Sequence, residues 1–188
     1  ALIAELIALK VDVIVTAGTP AALAVKKATT SIPLVMIAVG DPVANGLVAS
    51  LARPGGNITG LTSISQELEG KRLELLREIV PKLSRVAVLW NPANPVAVIL
   101  VKDAEVAAEV LQMKLQLVGV QAAEEFDNAF AAIVKERAGA LTVLADRLFL
   151  HNRDRIVGFT AKRRLPTVYA YRELVEAGGL MALGPSYA

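Results

Sequence analysis

The chain alternates short, mostly apolar runs with longer stretches of helical periodicity. Residues 11–16, 33–39, 58–62, 85–90, 114–120, 139–145, 166–170 and 180–183 read as strands: they are short, rich in Val, Ile and Leu, and mostly bounded by Gly, Pro, Asn or Asp. Between them, 20–28, 42–51, 65–80, 95–112, 124–137, 149–164 and 172–177 read as helices, and residues 1–7 are already helical in pattern. In the segment 65–80, Leu68, Leu75, Leu76 and Ile79 are predicted to share the buried face, with Glu and Lys on the other and Pro81 as the stop. Arg53-Pro54-Gly55-Gly56-Asn57 is a turn cluster.

Strands alternating with helices imply right-handed βαβ units and parallel sheets. The runs do not alternate apolar with polar positions, which predicts that both faces of each sheet are covered. The fold class is α/β, with two Rossmann-like lobes. The boundary between them is predicted within residues 60–65. This gives a partial N-terminal lobe over 1–62, to which residues 184–188 return, and a C-terminal lobe over 63–183. Gly60, Gly184 and Pro185 suit crossing segments that absorb backbone rotation. The first lobe is expected to be incomplete. The chain opens in mid-helix without an initiator Met and stops straight after a strand, so both ends are expected to be cut.

Three strand ends share one design. Gly18-Thr19-Pro20, Gly40-Asp41-Pro42 and Asn91-Pro92-Ala93-Asn94-Pro95 each offer a helix-capping residue (Thr19, Asp41, Asn94) with Pro at the first helical position. The strand at 139–145 ends in Asp146. In an open parallel sheet, ligands bind outside the carboxyl ends of the strands. Unpaired N–H groups and the positive dipole end of a helix favour an anion there. Asp41 and Asp146 add carboxylates on the same rim, one in each lobe. Anion sites together with carboxylates suit a zwitterion, and an amino acid is the obvious small one. Read singly, each of these residues is also an ordinary helix cap.

Composition narrows the choice further. Twenty basic and 18 acidic residues give a net charge of +2. The basic residues are scattered, with no stripe for nucleic acid. The densest group, Lys162-Arg163-Arg164, reads as the last turn of a helix. With no cysteine and one histidine, thiolate metal sites, disulfides and thiol catalysis are excluded, and His151 reads as a surface or capping residue. No Walker motif, Gly-x-Gly-x-x-Gly or Gly-x-Ser-x-Gly is present, so neither catalysis nor a cofactor is expected. The longest charge-free run, residues 86–101, is broken by Pro92 and Pro95, and a membrane span needs about 20 apolar residues. Aromatic residues make up 4%. Trp90, Tyr171 and Tyr187 are the candidates to stack on a ligand, whereas Phe126, Phe130 and Phe159 read as core.

Longer strings carry a family resemblance. Val13 through Gly18-Thr19-Pro20 to Ala22, Val39-Gly40-Asp41-Pro42-Val43, Arg53 to Gly60, Gly70 to Leu76, Trp90 to Pro95, Leu144-Ala145-Asp146 and Glu176 to Met181 together resemble a family of ABC-transporter substrate-binding proteins. That family includes binders of tryptophan and tyrosine. The resemblance implies the type I periplasmic binding protein fold, a ligand held between the lobes, an ABC permease that receives it, and residence in the periplasm or as a membrane-anchored lipoprotein. The implied ligand-binding residues are Gly18, Thr19 and Pro20 for a carboxylate, Asp41 and Asp146 for an ammonium, and Asn91 and Asn94 from the second lobe, with Tyr187 as a stacking candidate. Two other readings stay open: the effector-sensing domain of a transcription regulator, and a Rossmann-like enzyme without its N-terminal motif.

Overall fold

A computed structural model describes residues 2–63 and 68–185. The chain divides into two compact units, residues 1–64 and 65–188.

Unit 1 contains α1 (Leu2–Ala8), β1 (Ile14–Ala17), α2 (Thr19–Ala28), β2 (Leu34–Val39) and β3 (Ile58–Thr62). The three strands are parallel in the order β1-β2-β3, with Ile14, Leu34 and Ile58 side by side. These residues, with Met36 and Val39, form the core together with Ala22 and Val25 of α2 and with Leu47 and Val48. Only this face is covered among the described residues. Val15, Ile37 and Leu61 stand exposed, so the expectation of two covered faces does not hold in unit 1.

The helix expected over 42–51 is absent. Asp41 to Val48 makes a single turn, with Asn45 N–H on the Asp41 carbonyl at 3.1 Å and Leu47 N–H on the Pro42 carbonyl at 2.8 Å. Gly46 then takes φ +65°, which ends helical continuation. Lys26 donates to the carbonyl of Gly46 and, at 3.3 Å, to that of Leu47, so a side chain takes the place of the missing helical turns.

Unit 2 contains α3 (Leu68–Ile79), β4 (Arg85–Trp90), α4 (Pro95–Val110), β5 (Lys114–Gly119), α5 (Phe126–Lys135), β6 (Ala140–Val143), α6 (Arg147–His151), α7 (Arg153–Arg163), β7 (Thr167–Tyr169), α8 (Arg172–Glu176) and β8 (Met181–Ala182). The sheet is parallel, in the order β5-β4-β6-β7-β8. Both of its faces are covered, as the unbroken apolar runs predict. Ala87, Leu89, Leu141, Val143 and Tyr169 pack against Phe126, Phe130, Phe149, Ile156 and Leu174. On the other face, Val86, Ala140 and Val168 meet Leu73 and Leu76 of α3 and Ala104 and Ala108 of α4. Phe130 and Phe159 stack at 4.2 Å, as core residues should. The single helix expected over 149–164 is two helices, broken at Asn152, whose side-chain amide donates to the Leu148 carbonyl at 2.8 Å.

Helix α3 departs most from its pattern. Its buried residues are Glu69, Arg72, Leu73 and Leu76, while Ile79 is 47% exposed. The buried stripe is therefore rotated from the one expected, and it carries an ion pair. Burial pushes the Glu69 carboxyl above its ordinary value of 4.5, the Arg72 guanidinium offsets this only in part, and Asp103 adds a smaller upward push. A raised carboxyl keeps its proton in the folded chain after the unfolded chain has lost it. Stability is then expected to fall as pH rises through the ordinary glutamate range. Glu69→Gln should flatten that fall, read as the change in melting temperature between about pH 4 and pH 7.

Candidate functional site

In unit 1, β1 runs into Gly18, whose N–H extends the sheet ladder to the Ile37 carbonyl at 2.9 Å. Gly18 takes φ +89°, open to a residue without Cβ, and is itself the cap position of α2. The cap therefore falls one residue earlier than expected. Thr19 is the first helical residue, and Pro20 follows it at the exposed start of the helix. The buried Thr19 hydroxyl instead accepts the Gly40 N–H at 3.2 Å and ties the end of β1 to the end of β2. Because Gly18 has no side chain, α2 starts without a side-chain cap, and N–H groups of its first turn stay open to another acceptor.

The end of β2 is re-aimed by a bulge. Its register with β3 shifts between Met36 and Val39, with Ala38 at φ +53°. Half-buried Asp41 follows. One of its oxygens accepts the Ala44 N–H at 2.9 Å, while Asn45 donates to the Gly40 and Asp41 carbonyls. Asp41 thus caps a turn and not a helix. Gly18, Thr19, Pro20 and Asp41 gather at the carboxyl ends of β1 and β2. Thr16, in β1, adds a buried hydroxyl without a hydrogen-bond partner.

In unit 2, the chain leaves β4 to form β5 on one side and then returns across β4 to form β6, β7 and β8 on the other. The direction reverses between β4 and β6, the point at which open α/β sheets take ligands outside the carboxyl ends of their strands. Asn91 and Asn94 follow β4, and Asp146 follows β6. Asn91 accepts the Ala93 N–H at 2.9 Å and holds the loop. Asn94 caps α4 through the Val96 N–H at 3.1 Å, and its amide nitrogen donates to Asp146 at 2.9 Å. The other Asp146 oxygen caps α6 through the Leu148 N–H at 2.8 Å. All three side chains are at least nine-tenths buried. Each Asp146 oxygen has taken one donor and retains a further lone pair. The carboxylate is thus held in place and still able to accept.

The remaining candidates are placed as follows. Trp90 is half-buried against Val88, Leu100, Val101 and Leu144. Tyr171 packs partly on the larger core at the start of α8. Tyr187 lies outside the described residues. His151 sits exposed in the last turn of α6, with Nδ1 2.7 Å from the Arg147 carbonyl. Lys162 and Arg163 form the last turn of α7, and Arg164 is its C-cap. Among the described residues, no group of three or more His, Cys, Asp and Glu is placed to hold a metal ion, and no helix is long and apolar enough to cross a membrane.

Two α/β units with parallel sheets, each with polar residues at its strand ends, have the fold of the type I periplasmic binding proteins. Residues 1–188 match the family described as ABC transporter substrate binding protein, and the chain belongs to it. A tyrosine-binding protein of Clostridioides difficile (strain R20291) is 30% identical over 178 residues, 95% of this chain and 51% of that protein. The chain thus spans about half the length of this curated relative. A conserved domain protein of Vibrio cholerae, solved as a crystal structure, is 30% identical with a TM-score of 0.87, over 99% of this chain and 62% of that one. A Streptococcus pneumonia ABC domain solved with L-Trp is 23% identical and shares the fold at a TM-score of 0.86, over 98% of this chain and 62% of that one.

Proposed function

We propose that the protein is the extracytoplasmic solute-binding component of an ABC importer, and that it takes up an amino acid, an aromatic one first, in a cleft between its two units. The observation that carries this reading is the buried Asp146 carboxylate, braced by Asn94 where the strand order reverses. A fixed carboxylate with spare lone pairs suits an ammonium. The uncapped start of α2, at Gly18-Thr19-Pro20, suits a carboxylate. Asp41 adds a second acceptor for the ammonium, Asn91 and Asn94 line the side of unit 2, and Tyr187 supplies a stacking ring. Closure buries the solute, no bond in it is made or broken, and a membrane permease then receives it. The protein works in the periplasm or at the membrane surface as a lipoprotein.

The tyrosine-binding relative supports this solute class. Calorimetric titration with the amino acids, and with N-acetyltyrosine, tests it. Tyrosine or tryptophan is expected to bind with Kd on the order of 1 μM or tighter, about −8 kcal/mol. N-acetyltyrosine, without the ammonium, is expected to give no heat. Absence of heat with every amino acid would refute the reading.

A further inference from the structure

Among the ion pairs of the described residues, Glu69–Arg72 is the one withdrawn from water on both sides, with 1% side-chain exposure each. Such pairs are rarely kept for stability, because well-packed apolar replacements are often neutral or stabilising. The arginine is also over-provided. Its Nη1 donates to Glu69 Oε1, and its Nε donates to the Leu183 carbonyl at 2.8 Å, across 111 residues of sequence. Its Nη2 and Glu69 Oε2 are buried with no partner.

The positions of these contacts give the pair its meaning. Glu69 and Arg72 stand in the first turns of α3, which begins at Leu68, just past the boundary between the units at residues 64 and 65. Leu183 directly follows β8, and its N–H is held by the Tyr169 carbonyl at 3.0 Å. Gly184 comes next, so close to β7 that a Cβ there would lie 1.9 Å from the Ala170 carbonyl oxygen. One guanidinium therefore ties the place where the chain arrives from unit 1 to the end of the last strand of unit 2.

We propose that Arg72, with Glu69, is a positioning residue. It fixes the inter-unit connection on the unit 2 side and so sets solute affinity without touching solute. This rests on the reading of the protein as a solute binder whose units close.

The chain has no cysteine, so a spin label on each unit, through Lys27→Cys and Lys135→Cys, reports the distance between them cleanly. Both positions are exposed. The label distances and tyrosine titrations are compared in the whole protein carrying Arg72, Arg72→Lys, or the double replacement Glu69→Leu with Arg72→Met. The double replacement is expected to leave the ligand-free melting temperature within a few degrees. It should broaden the ligand-free distance distribution and weaken tyrosine binding about tenfold, a usual size for coupling between sites. R72K, which keeps the charge but not the fork, should fall between. An affinity and distribution unchanged in the double replacement would overturn the proposal. If the double replacement does not fold, R72K decides: a weakened affinity at an intact melting temperature supports the proposal, and an unchanged one overturns it. If the parent protein binds neither tyrosine nor tryptophan, the solute reading fails, and the pair is judged by the ligand-free distances alone. A broadened distribution then supports it, and an unchanged one overturns it.

Discussion

Asp146→Ala is expected to abolish amino-acid binding and to loosen unit 2 together. The substitution removes the cap on α6, worth about 1 kcal/mol. It also strands the buried Asn94 amide nitrogen, at about 1–3 kcal/mol more. The melting temperature should fall by roughly 5–15 °C, since each kcal/mol moves a chain of this length by about 2–4 °C. Loss of a desolvated charge partner for the solute should weaken binding about a hundredfold or more. Asp146→Asn separates the two effects. Its amide keeps one oxygen for the Leu148 N–H but carries no charge, so the loss of affinity should remain while the loss of stability shrinks to that of the Asn94 contact. Calorimetry and thermal melts on both variants provide the check. Normal affinity in a destabilised Asp146→Ala protein would reduce Asp146 to a helix cap.

The second large effect is expected at Gly60. Here φ is +143°, and a Cβ would sit 1.9 Å from the Met36 carbonyl oxygen and 2.7 Å from its nitrogen. These are backbone atoms of the neighbouring strand and cannot swing aside. Gly60→Ala must push β3 away from β2, and a loss of about 3–5 kcal/mol is expected, at the upper end for single substitutions. Gly56→Ala is the control. Nothing lies within 4 Å of a Cβ there, and the change should stay within about 0.5 kcal/mol. Urea melts of the two variants check the contrast, and hydrogen exchange should show the loss concentrated in β3.

Much of this architecture is legible in the sequence, for identifiable reasons. Strands buried on both faces are short apolar runs, and β4 and β6 are such runs. Asn94 and Asp146 are legible because a cap needs a particular side chain directly before a helix start. Their bond to each other is not, since 52 residues separate them and no local pattern brings them together. Thr19 is misplaced by one residue because glycine also serves as a cap and carries no signature of its own. The stretch after Asp41 has the composition of a helix, and Gly46 decides against it. The buried pair in α3 is hidden by the rule that finds helices. Charged residues are assigned to water, so Glu69 and Arg72 fall on the wrong side and Ile79 on the other. The spacing of Glu69, Arg72, Leu73 and Leu76 is itself a perfectly regular stripe, visible only once a charged pair is allowed indoors.

The brace between Asn94 and Asp146 bears on how such a protein changes its taste for solutes. Both groups find their partners within their own unit, so under the proposed function the polar floor of the solute site exists before any guest arrives. A floor already set spends little on rearrangement when occupied, and it rejects a visitor that lacks the matching group. New preferences would therefore arise by recarving the walls, where size and shape are sorted at small cost. The floor would stay as it is, and descendants with different appetites would still recognise the same charged end of their solute.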